Sequence, residues 1–221
     1  MKFICAKPWL EADLGTDHAV LSWCPHRGGA VRARRILWRE VRNADLTESF
    51  DAEAWLAREL AARGASDAVC FLTSRDIRHH HHRKVSVEGV TVEVLATVGL
   101  GNIEAIGSRR GPPASGFGTI NIAVQTHVAL EENARLEALS LIAEARTAAI
   151  LAAGHALPGG LATGTGTDCI ALASRLEGPA LCYAGLHTAL GEALGRAVYD
   201  AVAEGAATAQ ISLPGAGQPA G

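Results

Sequence analysis

The chain has 221 residues, 48% of them hydrophobic, and carries a formal net charge of −3 with acidic and basic residues mixed along its length. That length buries a core without covalent staples and makes one domain the default, while the charge leaves no basic footprint for nucleic acid. The five cysteines are odd in number, widely spaced and without a CxxC pair, which excludes a disulfide scaffold, a zinc knuckle or a redox pair and predicts a cytoplasmic protein. No apolar stretch is long enough to span a membrane, and the first apolar run is cut by Lys7 and Pro8, too early for a signal peptide.

Hydrophobic patterning alternates between strand and helix periods. His18 to Cys24 and Ala68 to Leu72 read as short buried strands, with a helix from Asp51 to Arg63 between them, capped by Ser49 or Asp51 and closed by Gly64. Val85 to Val87 and Val90 to Val98 read as a hairpin through Glu88-Gly89. Thr119 to Val124 is a further strand, followed by a helix from Leu130 to Ala153 closed by Gly154. Asp168 to Ala173 is the last strand, and Thr188 to Glu204 the last helix, capped by Thr188 and closed by Gly205. In that helix Gly191 and Gly195 allow a close approach to the sheet. The expected fold is α/β or α+β, a single domain over residues 1–213 whose mixed sheet is covered by about three helices. The segment 214–221, PGAGQPAG, reads as a disordered tail.

Two clusters place small and polar residues beside apolar strands. In Gly164-Thr165-Gly166-Thr167-Asp168 the glycines allow backbone conformations closed to other residues, so that N–H groups converge on a ligand oxygen; a tight turn is the plainer reading. Gly118-Thr119-Ile120-Asn121 is the second cluster, and together they predict a polar pocket at one sheet edge. Arg146 falls on the apolar stripe of Leu139, Ile142, Ala149 and Ile150, so its charge either pairs with a carboxylate or reaches the surface. Asp168 and His187, brought together across strand and helix, could activate water or a threonine hydroxyl; a loop-ordering carboxylate and a histidine bonded to backbone are the alternatives. His79 to His82 cannot all face one point, and reads as a solvated loop that binds metal adventitiously. Thr97 to Asn102, TVGLGN, lacks the third glycine and following helix of a dinucleotide site and reads as a pocket rim bearing Asn102, while Gly107 to Gly116 reads as a mobile flap. Neither a P-loop nor GxSxG occurs, which argues against nucleotide hydrolysis and an ordinary serine hydrolase.

Several segments in order resemble the adenosylcobinamide amidohydrolase (CbiZ) family of corrinoid salvage: LSW at Leu21 to Trp23, WREV at Trp38 to Val41, LTSRDIR at Leu72 to Arg78, TVGLGN, GTINI at Gly118 to Ile122, EARTAAIL at Glu144 to Leu151, TGTGTD at Thr163 to Asp168, and YAGLHTALGEALGRAVY at Tyr183 to Tyr199. The resemblance implies hydrolysis of the amide joining aminopropanol to the corrin ring of adenosylcobinamide, with cobalt carried by the substrate and no protein-bound cofactor or metal. It implies a corrinoid partner, with neither nucleic acid nor membrane. Asp168 and His187 are then the expected acid/base pair, with Asn102, Gly118, Thr119, Asn121, Arg146, Thr165, Gly166 and Thr167 arranging the substrate. The loop N–H groups from Gly164 to Thr167 are expected to hold the oxyanion or a corrin amide. Arg146 departs from a lysine expected of the family, keeping the charge but not a transferable proton. Two rival readings are a non-catalytic corrinoid- or tetrapyrrole-binding module, and a zinc hydrolase using His127, Asp168 and His187.

Overall fold

The computed structural model describes residues 1–41, 51–108 and 118–209. In chain order the elements are β1 (Lys2–Ala6), β2 (Trp9–Ser22), β3 (Gly29–Glu40), α1 (Ala52–Ala62), β4 (Val69–Thr73), β5 (His80–Val87), β6 (Val90–Val98), β7 (Ile103–Glu104), β8 (Ile120–Leu130), α2 (Glu132–Ala152), β9 (Ala156–Leu157), β10 (Gly160–Leu161), β11 (Gly164–Thr165), β12 (Cys169–Arg175), β13 (Ala180–Leu181) and α3 (Ala189–Thr208). The main sheet runs β4-β3-β2-β12-β8-β6-β5, with β1 added to β2 and β13 to β8. Its β3/β4, β8/β12 and β8/β13 pairs are parallel and its other pairs antiparallel. With three helices among the described residues, the chain forms a single α+β domain around a mixed sheet.

Period-two alternation sorts the strand residues between two cores. Ile122 and Val124 of β8 and Ile170 and Leu172 of β12 pack under α2 and α3, while Ala123, Ala171 and Ala173 face the other way. Those alanines share a core with Trp38 and Phe71. Although β4 and β8 lie far apart in the strand order, Asn121 Nδ2 donates to the Leu72 carbonyl at 2.8 Å. The sheet therefore curls until two parts of one face meet, and small side chains on β8 and β12 let them approach. On the outer side of β3 and β4, Leu37 and Cys70 pack on Leu56 and Leu60 of α1.

Local chemistry sets the helix ends. Asp51 caps α1 by accepting from the Ala54 N–H at 2.9 Å, and Thr188 caps α3 by accepting from Gly191 at 2.9 Å. Ser49, the other candidate cap, lies outside the described residues, as do Arg109 to Gly116 of the expected flap and the tail 214–221. Gly64 and Gly154 follow α1 and α2 at φ +66° and +74°, as helix-terminating glycines do. Gly205 does not end α3, which continues to Thr208. It is needed instead for packing, because a Cβ there would collide with Val98 of β6. The Gly191/Gly195 reading also changes: Gly191 makes room for the main chain of Ala184 and Gly185, and Gly195 faces open space.

The hairpin forms as expected through Glu88 and Gly89, both at positive φ, but its first strand reaches back to His80. His80 to His82 are thus strand residues, not a solvated loop. Nδ1 of His80 lies 2.8 Å from the Ile77 carbonyl, Nδ1 of His81 lies 3.2 Å from Glu204, and Nε2 of His82 lies 3.4 Å from Glu93. Pairing with β6 and partners on both faces overrides the polarity that made the run look like a loop.

Candidate functional site

At one end of the sheet, β6 finishes at Val98 while β8 and β12 begin at Ile120 and Cys169. Three loops and the exit of β4 converge there. Thr119 Oγ1 donates to the Thr167 carbonyl at 2.7 Å, Gly166 N–H donates to the Asn102 carbonyl at 3.1 Å, and Thr163 N–H donates to the Glu104 carbonyl at 2.8 Å. Gly118 is forced by this crossing, since a Cβ on it would meet the Gly101 nitrogen and lie 2.8 Å from the Gly99 carbonyl oxygen. The two clusters predicted to share a pocket do meet, and the TVGLGN loop forms part of their support.

Asp168 organises the longer loop. Its Oδ1 accepts from Ile120 N–H at 3.0 Å and from the Thr165 hydroxyl, and its Oδ2 accepts from Thr165 N–H at 3.0 Å and from Arg146 Nη1. These bonds engage all the acceptor positions a carboxylate offers. Arg146 therefore pairs with a carboxylate beneath the loop instead of reaching the surface; the two side chains are 17% and 7% exposed. The glycines serve a different purpose from the one expected. Neither Gly164 nor Gly166 has positive φ. A Cβ on Gly164 would sit 2.7 Å from Arg146 Nη1 and Asp168 Oδ2, and one on Gly166 would sit 2.9 Å from Asn102 Nδ2. Thr165 N–H is spent on Asp168 and Gly166 N–H on the Asn102 carbonyl, so the expected oxyanion cradle is not built from those two donors.

The Asp168/His187 pair is not formed. Cys169 stands opposite Asn121 near the start of β8, whereas β13, which leads toward His187, pairs with Ala129 and Leu130 at its far end. Those two points on β8 are roughly 25 to 30 Å apart at the rise of a strand, and the bonds to the Asp168 carboxylate come from Ile120, Thr165 and Arg146, with none from His187. His187 is exposed in the turn that enters α3, where Ala184 N–H is held by Glu137 at 2.6 Å. His127 is also elsewhere, with Nε2 3.0 Å from Glu93 Oε1. The three residues of the zinc reading are scattered, and no group of three His, Cys, Asp or Glu side chains among the described residues is spaced to hold a metal ion.

A cavity of about 320 Å³ opens beside the loops, lined by Pro25, Val41, Leu72, Thr73, Ser74, Thr119, Thr167 and Cys169, with a surface that is mostly apolar. Burial pushes the Cys169 thiol up to about 12, with the neighbouring Cys24 and the Asp168 charge adding to it, so it stays protonated and is no nucleophile at neutral pH. A family model described as adenosylcobinamide amidohydrolase matches residues 1–213. The chain belongs to the adenosylcobinamide amidohydrolase family. No curated protein matches it. Among solved structures, it is similar to the PH0078 protein of Pyrococcus horikoshii OT3 at 11% identity, over 91% of this chain and 78% of that one, with a TM-score of 0.47.

In this adenosylcobinamide amidohydrolase family member, segments far apart in sequence supply the cavity. LTSRDIR brings Thr73 and Ser74, GTINI brings Gly118 and Thr119, and TGTGTD brings Thr167. Asn121 is fully buried and Asn102 is 8% exposed, and Asn121 Nδ2 ties β8 to the Leu72 carbonyl. Sequence reading missed Thr73, Ser74 and Cys169, whose place depends on the curl that carries β4 toward β8. It also missed Trp23, whose Nε1 donates to the Asp168 carbonyl at 2.7 Å. No helix among the described residues is long and apolar enough to cross a membrane, and all five cysteines are free.

Proposed function

We propose that this chain hydrolyses the amide joining aminopropanol to the corrin ring of adenosylcobinamide, releasing adenosylcobyric acid and free aminopropanol in cytoplasmic corrinoid salvage. The family match over residues 1–213 carries this reading. The cavity supports it: at about 320 Å³, mostly apolar with Thr73, Ser74, Thr119 and Thr167 in its lining, it has room for a small amide arm and leaves the macrocycle outside. Cobalt arrives with the substrate, and no step requires a resident cofactor.

Asp168 supplies the acid/base chemistry in this proposal. The Thr165 hydroxyl already donates to Asp168 Oδ1, so an attacking oxygen and the acceptor for its proton are in place together. Thr165 Oγ1 attacks the amide carbonyl and its proton passes to Asp168. That proton leaves on the aminopropanol nitrogen as the C–N bond breaks. Water, deprotonated by Asp168, then opens the threonine ester, giving the corrin carboxylic acid and restoring the hydroxyl. Arg146 holds Oδ2 throughout, and Gly118, Thr119 and Thr167 face the arm. Incubation with adenosylcobinamide, without added metal, ATP or nicotinamide, tests the reading. Free aminopropanol is the expected product; intact substrate, or activity lost on chelation and restored by zinc, would overturn it.

A further inference from the structure

Two large apolar side chains stand exposed at opposite ends of the Asp168 loop. Trp23 is 47% exposed, with its ring fixed by the Nε1 bond to the Asp168 carbonyl. Ile106 is 86% exposed at the tip of a tight turn, closed by Ser108 N–H to the Ala105 carbonyl at 3.1 Å and completed by Gly107 at φ +78°. Such tips ordinarily carry polar residues, glycine or proline. The Ile106 N–H donates to Thr163 Oγ1 at 2.8 Å, so this turn is tied to the start of the loop as Trp23 is tied to its end. Thr163 and Asp168 are no more than roughly 17 Å apart along an extended chain. Exposed Gly166 and Thr167 lie between them.

We propose that Trp23 and Ile106 are apolar shoulders that receive the broad face of the corrin macrocycle while its amide arm enters the cavity beside Thr119 and Thr167. The proposal rests on the corrinoid reading above. A macrocycle too large for a cavity of about 320 Å³ must be held outside it, and apolar surface at the rim gains from burial in proportion to the area covered. An aromatic ring pinned through its N–H loses little freedom on contact.

Equilibrium dialysis of adenosylcobyric acid, the expected product that keeps the macrocycle and is not turned over, read by its visible absorption, and aminopropanol release from adenosylcobinamide are measured together on wild type, Trp23→Ala, Trp23→Phe and Ile106→Ser. Trp23→Ala and Ile106→Ser should each raise Kd and KM by about fivefold or more, the effect of truncating a contact residue, with kcat within about twofold. Trp23→Phe, which keeps the ring but loses the Asp168 bond, should retain most of the affinity. Wild-type affinity in both truncated variants would overturn the shoulders while leaving hydrolysis standing. Weakened binding only in the two Trp23 variants would also overturn them, since the lost hydrogen bond would then be the cause. If wild type binds the corrinoid without releasing aminopropanol and Ile106→Ser still weakens binding, the shoulders stand and the hydrolase reading falls. Absence of binding by wild type would overturn both.

Discussion

Arg146 Nη1 donates to Asp168 Oδ2, joining the helix that covers the sheet to the loop beside the cavity. Both side chains are largely buried, so truncating one strands the other charge. Arg146→Ala should cost about 3 kcal/mol, the usual penalty for breaking a buried pair, and lower the melting temperature by several degrees. Arg146→Lys keeps the charge and should lose less. Thermal unfolding of the three proteins checks this, and an unchanged melting temperature in Arg146→Ala would remove the pair from the account of the loop's stability.

Thr165 separates the threonine mechanism from direct attack by water. Thr165→Ala should lower kcat by at least about two decades, while Thr165→Ser, which keeps the hydroxyl, should stay within about tenfold of wild type. Intact mass after rapid quenching should reveal a corrin ester in wild type. Near-normal turnover in Thr165→Ala would assign the attack to water.

The glycines make opposite structural predictions. A methyl on Gly118 meets the main chain of Gly99 and Gly101, which cannot step aside, so Gly118→Ala should unfold at markedly lower denaturant. A methyl on Gly166 meets the Asn102 amide, the end of a side chain, and Gly166→Ala should cost far less. Urea unfolding of both variants tests the ordering.

Stability should fall on mild acidification. Burial pushes the His18 and His81 imidazoles below their ordinary value, an effect Glu204 partly offsets at His81. His18 is bonded as a neutral ring, with Nδ1 2.8 Å from the Thr16 carbonyl and Nε2 3.1 Å from Gln125 Nε2, whose amide N–H it accepts. Each histidine protonates more readily in the unfolded chain. The stability they contribute is therefore present above about pH 6.5 and lost as the pH falls toward their folded values. The urea midpoint should drop between pH 7.5 and 5.5, and His18→Gln should flatten that drop.

Element types were legible where one period dominated: α1, α2, the β5/β6 hairpin and the caps at Asp51 and Thr188 follow from local chemistry. β3 was hidden because Arg32, Arg34, Arg35 and Arg39 break its apolar run, yet these residues lie on solvent-facing or ion-paired positions of a long strand. Gly205 misled because a packing glycine and a terminating glycine look alike in sequence. The site was legible in its clusters but not in its pairings. Spacing put Arg146 on an apolar stripe without naming Asp168 as its partner, and placed Asp168 and His187 near helix and strand ends without saying which ends. That information resides in the parallel pairing of β12 and β13 with β8, which starts β12 at one end of that strand and sets β13, the approach to His187, at the other.

The most direct measurement compares aminopropanol and adenosylcobyric acid released from adenosylcobinamide by wild type and Asp168→Asn, with corrinoid affinity and melting temperature determined alongside. Wild type should release the two products in equal amounts. Asp168→Asn should bind the corrinoid as wild type does but turn it over roughly two to four decades more slowly, the range for loss of acid/base catalysis. Near-normal turnover in Asp168→Asn accompanied by a large fall in melting temperature would contradict the account, leaving Asp168 as the anchor of the loop and the chemistry to another residue.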